Sequence, residues 1–297
     1  MFSGLSAFPI TPMDERGIHV GAYMALVQRL AAAGVDSIGA LGSTGAYAYL
    51  SREARAQMAQ MAVDSAGGVP VMVGIGALRT RDVLGLADDA QKAGASAVLL
   101  APMSYHTLNA GEVYQLFETV TRNISVPLCV YDNPSTTRFE FSDELHGRIA
   151  QLPNVHSIKI PGVPADAAAA AERVARLRAL VPDHVRIGVS GDKFGATGLS
   201  AGCEVWYSVI GGIFPRTTLA IARAAQAGDA QEAARLSARL APLWELFGKY
   251  NGSLRVIAAA AGIMRLAPQP CLPLPLQAIE GADRELLAQL IDTLELA

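Results

Sequence analysis

The chain has 297 residues, 51% of them hydrophobic, 17% charged and 6% aromatic, with a formal net charge of −3. So large an apolar fraction excludes a disordered chain, and near-neutrality leaves no electrostatic footprint for nucleic acid or an anionic membrane. The length suits one α/β barrel of about 250 residues with some chain to spare.

In chain order, the N-terminus has no basic segment, and Pro9 and Pro12 interrupt its short apolar stretch, so it does not read as a signal peptide. A weak strand is predicted near 4–8, followed by apolar, β-branched runs at 35–41, 70–74, 97–100, 127–131, 155–160, 185–189 and 204–209. They alternate little, as expected of strands buried on both faces of a parallel sheet. Helical patterns lie between them: 22–33 ending at Gly34, a segment opened by Ser51 as N-cap, 80–93 ending at Gly94, then 111–121, 142–151 and 166–180. Strand follows strand at about 30 residues, the size of a βα unit, and eight such units predict a (β/α)8 TIM barrel. After Pro215 the pattern is helical only, at 217–227, 230–246, 253–266 and 284–296, with a proline-rich connector at 268–275. The predicted organisation is therefore a catalytic barrel over 1–224 and a C-terminal helical region over 225–297 packed on it.

Cys129, Cys203 and Cys271 are widely separated and odd in number, and the five histidines lack metal-ligand spacing. Neither a disulfide framework nor a metal site is expected, and a cytoplasmic setting follows. Cys129 and Cys203 lie in apolar runs and read as small buried hydrophobes. No run reaches the ~18 apolar residues of a membrane helix.

In this architecture chemistry belongs at the C-terminal ends of the strands. There the sequence carries Gly42-Ser43-Thr44-Gly45, Gly74-Ile75-Gly76, Ser104-Tyr105-His106, Tyr131-Asp132-Asn133-Pro134, Lys159, Ser190-Gly191-Asp192 and Ser208. Lys159 is one of only four lysines and sits inside the apolar run 155–160. Two readings stand. A desolvated amine loses proton affinity and becomes a nucleophile toward carbonyl carbon; alternatively, a strand-end lysine snorkels to a carboxylate. Lys92 and Lys249 fit ordinary helix positions, and Lys193 is a weaker loop-borne candidate. Tyr131 also admits two readings, a proton-moving phenol or a capped barrel tyrosine. The Gly42–Gly45 turn offers amides and hydroxyls for a carboxylate or phosphate but lacks a P-loop lysine. Gly74–Gly76 is a fragment, not a dinucleotide fingerprint. His106 is loop-borne near these ends, and His156 reads as a packed strand-start residue.

Taken together, Thr11-Pro12-Met13, GSTGA at 42–46, YDNPSTT at 131–137, SIKIPG at 157–162 and SGD at 190–192 resemble motifs of the dihydrodipicolinate synthase/N-acetylneuraminate lyase family. The resemblance runs through nearly the whole chain. It implies the barrel with C-terminal helices, a homo-oligomer (tetramer or dimer), and class I imine chemistry without metal or cofactor. Lys159 would attack the ketone of pyruvate or a related 2-oxo acid, Tyr131 with Ser43 would move protons, and Ser43, Thr44 and Gly45 would hold the carboxylate. Tyr105, Thr136, Arg138 and Ser208 complete the expected substrate contacts.

Three positions depart from the resembled pattern. Thr136 stands where the synthases carry a carboxylate-binding arginine. Arg138, two residues on, would share its face in an extended segment. Ser104 replaces the tyrosine lent by a neighbouring subunit, and Ala46 replaces an acid. These departures favour a lyase acting on a 2-oxo sugar acid. The alternative is dihydrodipicolinate synthase proper, joining pyruvate to aspartate semialdehyde. From other classes come a catalytically degenerate small-acid binding protein and a phosphate-binding barrel enzyme, the latter suggested by the loop at 190–198.

Overall fold

In the computed structural model, which describes residues 1–297, eight parallel strands close into a barrel: β1 Gly4–Ala7, β2 Ser37–Ala40, β3 Val71–Gly74, β4 Ala97–Leu100, β5 Leu128–Tyr131, β6 Val155–Ile160, β7 Arg186–Val189 and β8 Val205–Ser208. Each pairs with the next in sequence, and β8 pairs with β1. The weak alternation of the strands has its cause here. Outward residues such as Ile38, Val98, Val130, Ile158 and Ile187 join the large core under the helices, while Met72, Leu99, Cys129, Tyr131 and Tyr207 fill the barrel.

Two inward glycines set the shape of that filling. A Cβ on Gly39 would stand 2.3 Å from the Phe8 ring, and one on Gly188 would stand 2.3 Å from the Tyr207 ring. The absent side chains are the space the two rings occupy.

Around the barrel lie α1 Val20–Ala33, α2 Arg52–Ser65, α3 Thr80–Lys92, α4 Ala110–Thr121, α5 Asp143–Ala150, α6 Ala167–Arg178, α7 Gly195–Ser200 and α8 Pro215–Gln226. Their starts follow from local chemistry. The side chains of Ser51, Ser142 and Asp166 accept the N–H groups of Ala54, Leu145 and Ala169, and Asn109 forms a capping box with Glu112. Gly34 ends α1 in the left-handed conformation.

Four more helices follow: α9 Ala230–Ala238, α10 Ala241–Lys249, α11 Leu254–Ile263 and α12 Gly281–Thr293. The single helix expected at 230–246 is thus two. Pro242 has no N–H to give residue 238 and its ring would strike that carbonyl, so the helix stops and restarts with Pro242 in its first turn. The sequence reading also missed the two-stranded hairpin Met13–Asp14/Gly17–Ile18 and a helical turn at Pro134–Thr137. Helix α11 is buried from Val256 to Ala261, which fixes its first turn beside the barrel mouth. No helix is long and apolar enough to cross a membrane.

Candidate active site

Tyr131 and Lys159 are 28 residues apart in the chain but are register partners on β5 and β6. Both side chains point into the barrel, at the C-terminal ends of their strands. A cavity of about 500 Å³ opens there, lined by Phe8, Ser43, Thr44, Tyr131, Asn133, Thr136, Lys159, Ser190, Tyr207 and the 251–255 segment among others.

Lys159 is 4% exposed. Its Nζ lies 4.0 Å from the centre of the Phe8 ring, 4.1 Å from that of Tyr131 and 5.5 Å from that of Tyr207. The acid nearest in effect, Asp192, is committed elsewhere. Its carboxylate accepts from Ser208 Oγ at 2.8 Å and from the N–H groups of Val209 and Ile210 at 3.1 and 3.0 Å. Burial therefore dominates and pulls the Lys159 ammonium down to about 8, against opposing pulls from Cys129 and Asp192. About a quarter of the amine is then neutral at pH 7.5, against about one part in a thousand for an ordinary lysine. The snorkelling reading lacks its carboxylate.

The Tyr131 phenol is raised to about 12 by burial, with Ser43 acting against the shift. It stays protonated at neutral pH. Asn133 Nδ2 donates to Tyr131 Oη at 2.9 Å and reaches Ser43 Oγ at 3.5 Å, so amide, phenol and hydroxyl form one chain beside the amine. The backbone N–H groups of Ser43 and Thr44, on the cavity wall, find no acceptor within the protein. Unspent amides beside two hydroxyls form a cradle for a carboxylate. Below the amine, Tyr207 Oη and Ser157 Oγ share a 2.6 Å hydrogen bond that closes the barrel floor.

The structure brings together Ser43, Thr44, Tyr131, Thr136 and Lys159. Four other expected residues lie elsewhere, each for a physical reason. Ser208 spends its hydroxyl on Asp192 and on the Gly211 N–H, and is wholly buried. Gly45 packs behind the turn, against Leu41 and Thr11. Pro134 starts a helical turn, so Arg138 ends it in the left-handed region and is exposed, off the face it would share with Thr136 in an extended strand. Tyr105 is 87% exposed, edge-on to His106. Neither Tyr105 nor His106 reaches the cavity, and the exposed Lys193 lies over the Phe194 ring in a neighbouring recess.

Sequence reasoning placed Asn133 at a strand end but gave it no role; its signal was its place two residues after Tyr131. It passed over Phe8, Tyr207 and Arg255.

Behind the site, Asp132 points away from the barrel, its Oδ2 3.5 Å from Nε2 of the fully buried His146. Burial, aided by Glu140 and opposed by Arg173, lifts the Asp132 carboxyl to about 7. Burial lowers His146 to about 4, and its ring stacks on Phe141.

Comparison with known proteins gives a consistent set. The model of the "dihydrodipicolinate synthetase family" matches residues 1–294. Proteins named 4-hydroxy-tetrahydrodipicolinate synthase are similar at 31% identity in Hyphomonas neptunium, over 81% of each chain. The namesake in Brucella abortus is 32% identical, over 82% of each chain. Among solved structures, the dihydrodipicolinate synthase of Agrobacterium tumefaciens superposes with a TM-score of 0.94 at 48% identity, covering 99% of this chain and 98% of its own. A putative dihydrodipicolinate synthetase of Pseudomonas aeruginosa gives 0.89 at 30% identity, covering 99% of this chain and 100% of its own.

Proposed function

The chain belongs to the dihydrodipicolinate synthetase family, enzymes of class I aldolase type, and from that premise we propose that it is a pyruvate-dependent Schiff-base lyase in which Lys159 carries the substrate. One observation carries the reading: a buried, partly neutral amine without a carboxylate partner, in register beside a protonated phenol, facing a cavity with an anion cradle.

The chemistry follows from these residues. The carboxylate of pyruvate seats on the Ser43 and Thr44 amides and hydroxyls, which brings its ketone to Lys159. The neutral amine adds to C2. Tyr131 hands a proton to the developing hydroxyl, water leaves, and a protonated imine remains. That cation draws electrons from C3, so loss of a C3 proton to the Tyr131 phenolate gives an enamine. The enamine carbon attacks an aldehyde, a carbon–carbon bond forms, and the aldehyde oxygen takes a proton from Tyr131; water then adds to the imine, releases the product and restores the amine. Run backwards, the same steps cleave a 2-oxo acid to pyruvate.

For the aldehyde, the named relatives are synthases, and for a synthase the family resemblance implies aspartate semialdehyde. A second reading, a 2-oxo sugar acid, is supported by the hydroxyls of Ser135, Thr136, Ser190 and Ser253 on the cavity wall and by Thr136 in place of the arginine. Self-association goes with either reading. The exposed Tyr49, Leu78 and Tyr105 sit on consecutive loops after β2, β3 and β4, at one side of the mouth. Burial of all three unpaired cysteines suits a reducing, cytoplasmic setting.

Borohydride reduction in the presence of pyruvate should leave a covalent adduct on Lys159, located by peptide mass spectrometry. Repeating the assay with aspartate semialdehyde plus pyruvate, N-acetylneuraminate and 2-keto-3-deoxy sugar acids separates the two readings. A folded protein that forms no adduct with any of them refutes the imine mechanism and favours the degenerate, binding-only alternative.

A further inference from the structure

The walls of the cavity carry only two charged side chains, and both are cations. One is Lys159 at the floor; the other is Arg255. Arg255 lies in the first turn of α11 and is partly buried. Elsewhere in the molecule guanidinium groups at comparable depth are engaged. Arg178 meets Glu204 at 2.6 Å, Arg173 meets Asp143 at 2.8 Å, and Arg29 donates to the Ile213 carbonyl. The Arg255 backbone is fixed, since its carbonyl accepts the Ile279 N–H at 3.3 Å and the helix behind it is buried. Its guanidinium forms no ion pair and no hydrogen bond with the protein, and no Asp or Glu lines the cavity to meet it.

A guanidinium is always charged and presents a planar fork that matches a carboxylate. Pyruvate held at Lys159 uses the Ser43–Thr44 cradle for its own carboxylate and leaves much of the cavity unfilled. The unfilled space runs toward Arg255.

We propose that Arg255 anchors a carboxylate on the aldehyde that reacts with the Lys159 enamine, and so selects acid-bearing over neutral aldehydes. The inference rests on the imine reading and deepens it. The anchoring group comes from the C-terminal helices, not from the loop after β5, where Thr136 is uncharged and Arg138 faces solvent.

The test compares the parent with Arg255→Gln, Arg255→Lys and Arg138→Gln. Two readouts are taken: pyruvate adduct formation at Lys159, and steady-state kinetics with aspartate semialdehyde and with butanal. Arg255→Gln should form the adduct within about twofold of the parent rate while KM for aspartate semialdehyde rises at least tenfold, about 1.4 kcal/mol. Arg255→Lys should recover part of that loss, and Arg138→Gln should show none of it. A smaller rise for Arg255→Gln, an equal rise for Arg138→Gln, or a parent that uses butanal as well as aspartate semialdehyde overturns the assignment. A parent that forms no adduct fails at the first readout; it removes the imine reading and this inference with it.

Discussion

Replacing Lys159 with methionine should make the protein more stable while ending its chemistry. Methionine has similar length, no charge, and a thioether that aromatic rings accept well, so the Phe8, Tyr131 and Tyr207 cage stays filled. The parent amine is held at about 8 in the folded protein, below the usual 10.5 of an exposed lysine. Below pH 8 both folded and unfolded chains carry the ammonium, and the folded chain bears the full burden of burying it, about 3 kcal/mol. Between pH 8 and 10.5 the folded amine is neutral first, and the burden shrinks to about 1 kcal/mol at pH 9.5. Urea unfolding at fixed protein concentration should therefore find Lys159→Met more stable than the parent by about 3 kcal/mol at pH 7, with the margin closing as pH rises. The variant should trap no pyruvate. A variant no more stable at pH 7, or a margin independent of pH, would refute the claim that desolvation sets the reactivity of this lysine.

Three other outcomes are expected. Tyr131→Phe should lower kcat by roughly 10²-fold or more, measured in steady state, with slower adduct formation, because the proton carrier is lost while the ring remains. Asp132→Asn should stabilise the fold above pH 7 and not below pH 4. The native carboxyl, raised to about 7, holds its proton while the unfolded one has lost it, so the parent loses stability as pH climbs through that window; denaturation at pH 4 and 8 checks it. Gly188→Ala should displace the Tyr207 ring and destabilise the barrel by about 1–3 kcal/mol, seen as a lower Tm.

What the sequence made legible was what violates a local rule. A lysine in an apolar strand breaks the burial pattern, so Lys159 stood out without any knowledge of its neighbours. Tyr131 and the 42–45 turn followed because they end strands. What stayed hidden depends on partners distant in the chain. The Ser208 hydroxyl is claimed by Asp192, a pairing no short motif encodes. Arg138 was placed beside Thr136 on the premise of extended backbone, whereas Pro134 starts a helical turn and sends it outward. Periodicity across 230–246 outweighed Pro242, and the helix is two helices. Arg255 carries no motif of its own, because only closure of the barrel and docking of α11 bring position 255 to the mouth.

The walls of the cavity come from two stretches of chain with separate duties. The barrel strands and their loops hold the amine, the phenol and the Ser43–Thr44 turn, while residues 251–255, beyond the last strand, bring the proposed anchor Arg255 to the mouth. The bond-making groups and the proposed anchoring charge thus come from different parts of the chain. A substitution at 255 should therefore change which aldehyde is taken while the reactive centre stays intact. Across descendants of such a protein, change at 251–255 would track a new reactant, and change at Lys159 or Tyr131 would mark the loss of the reaction itself.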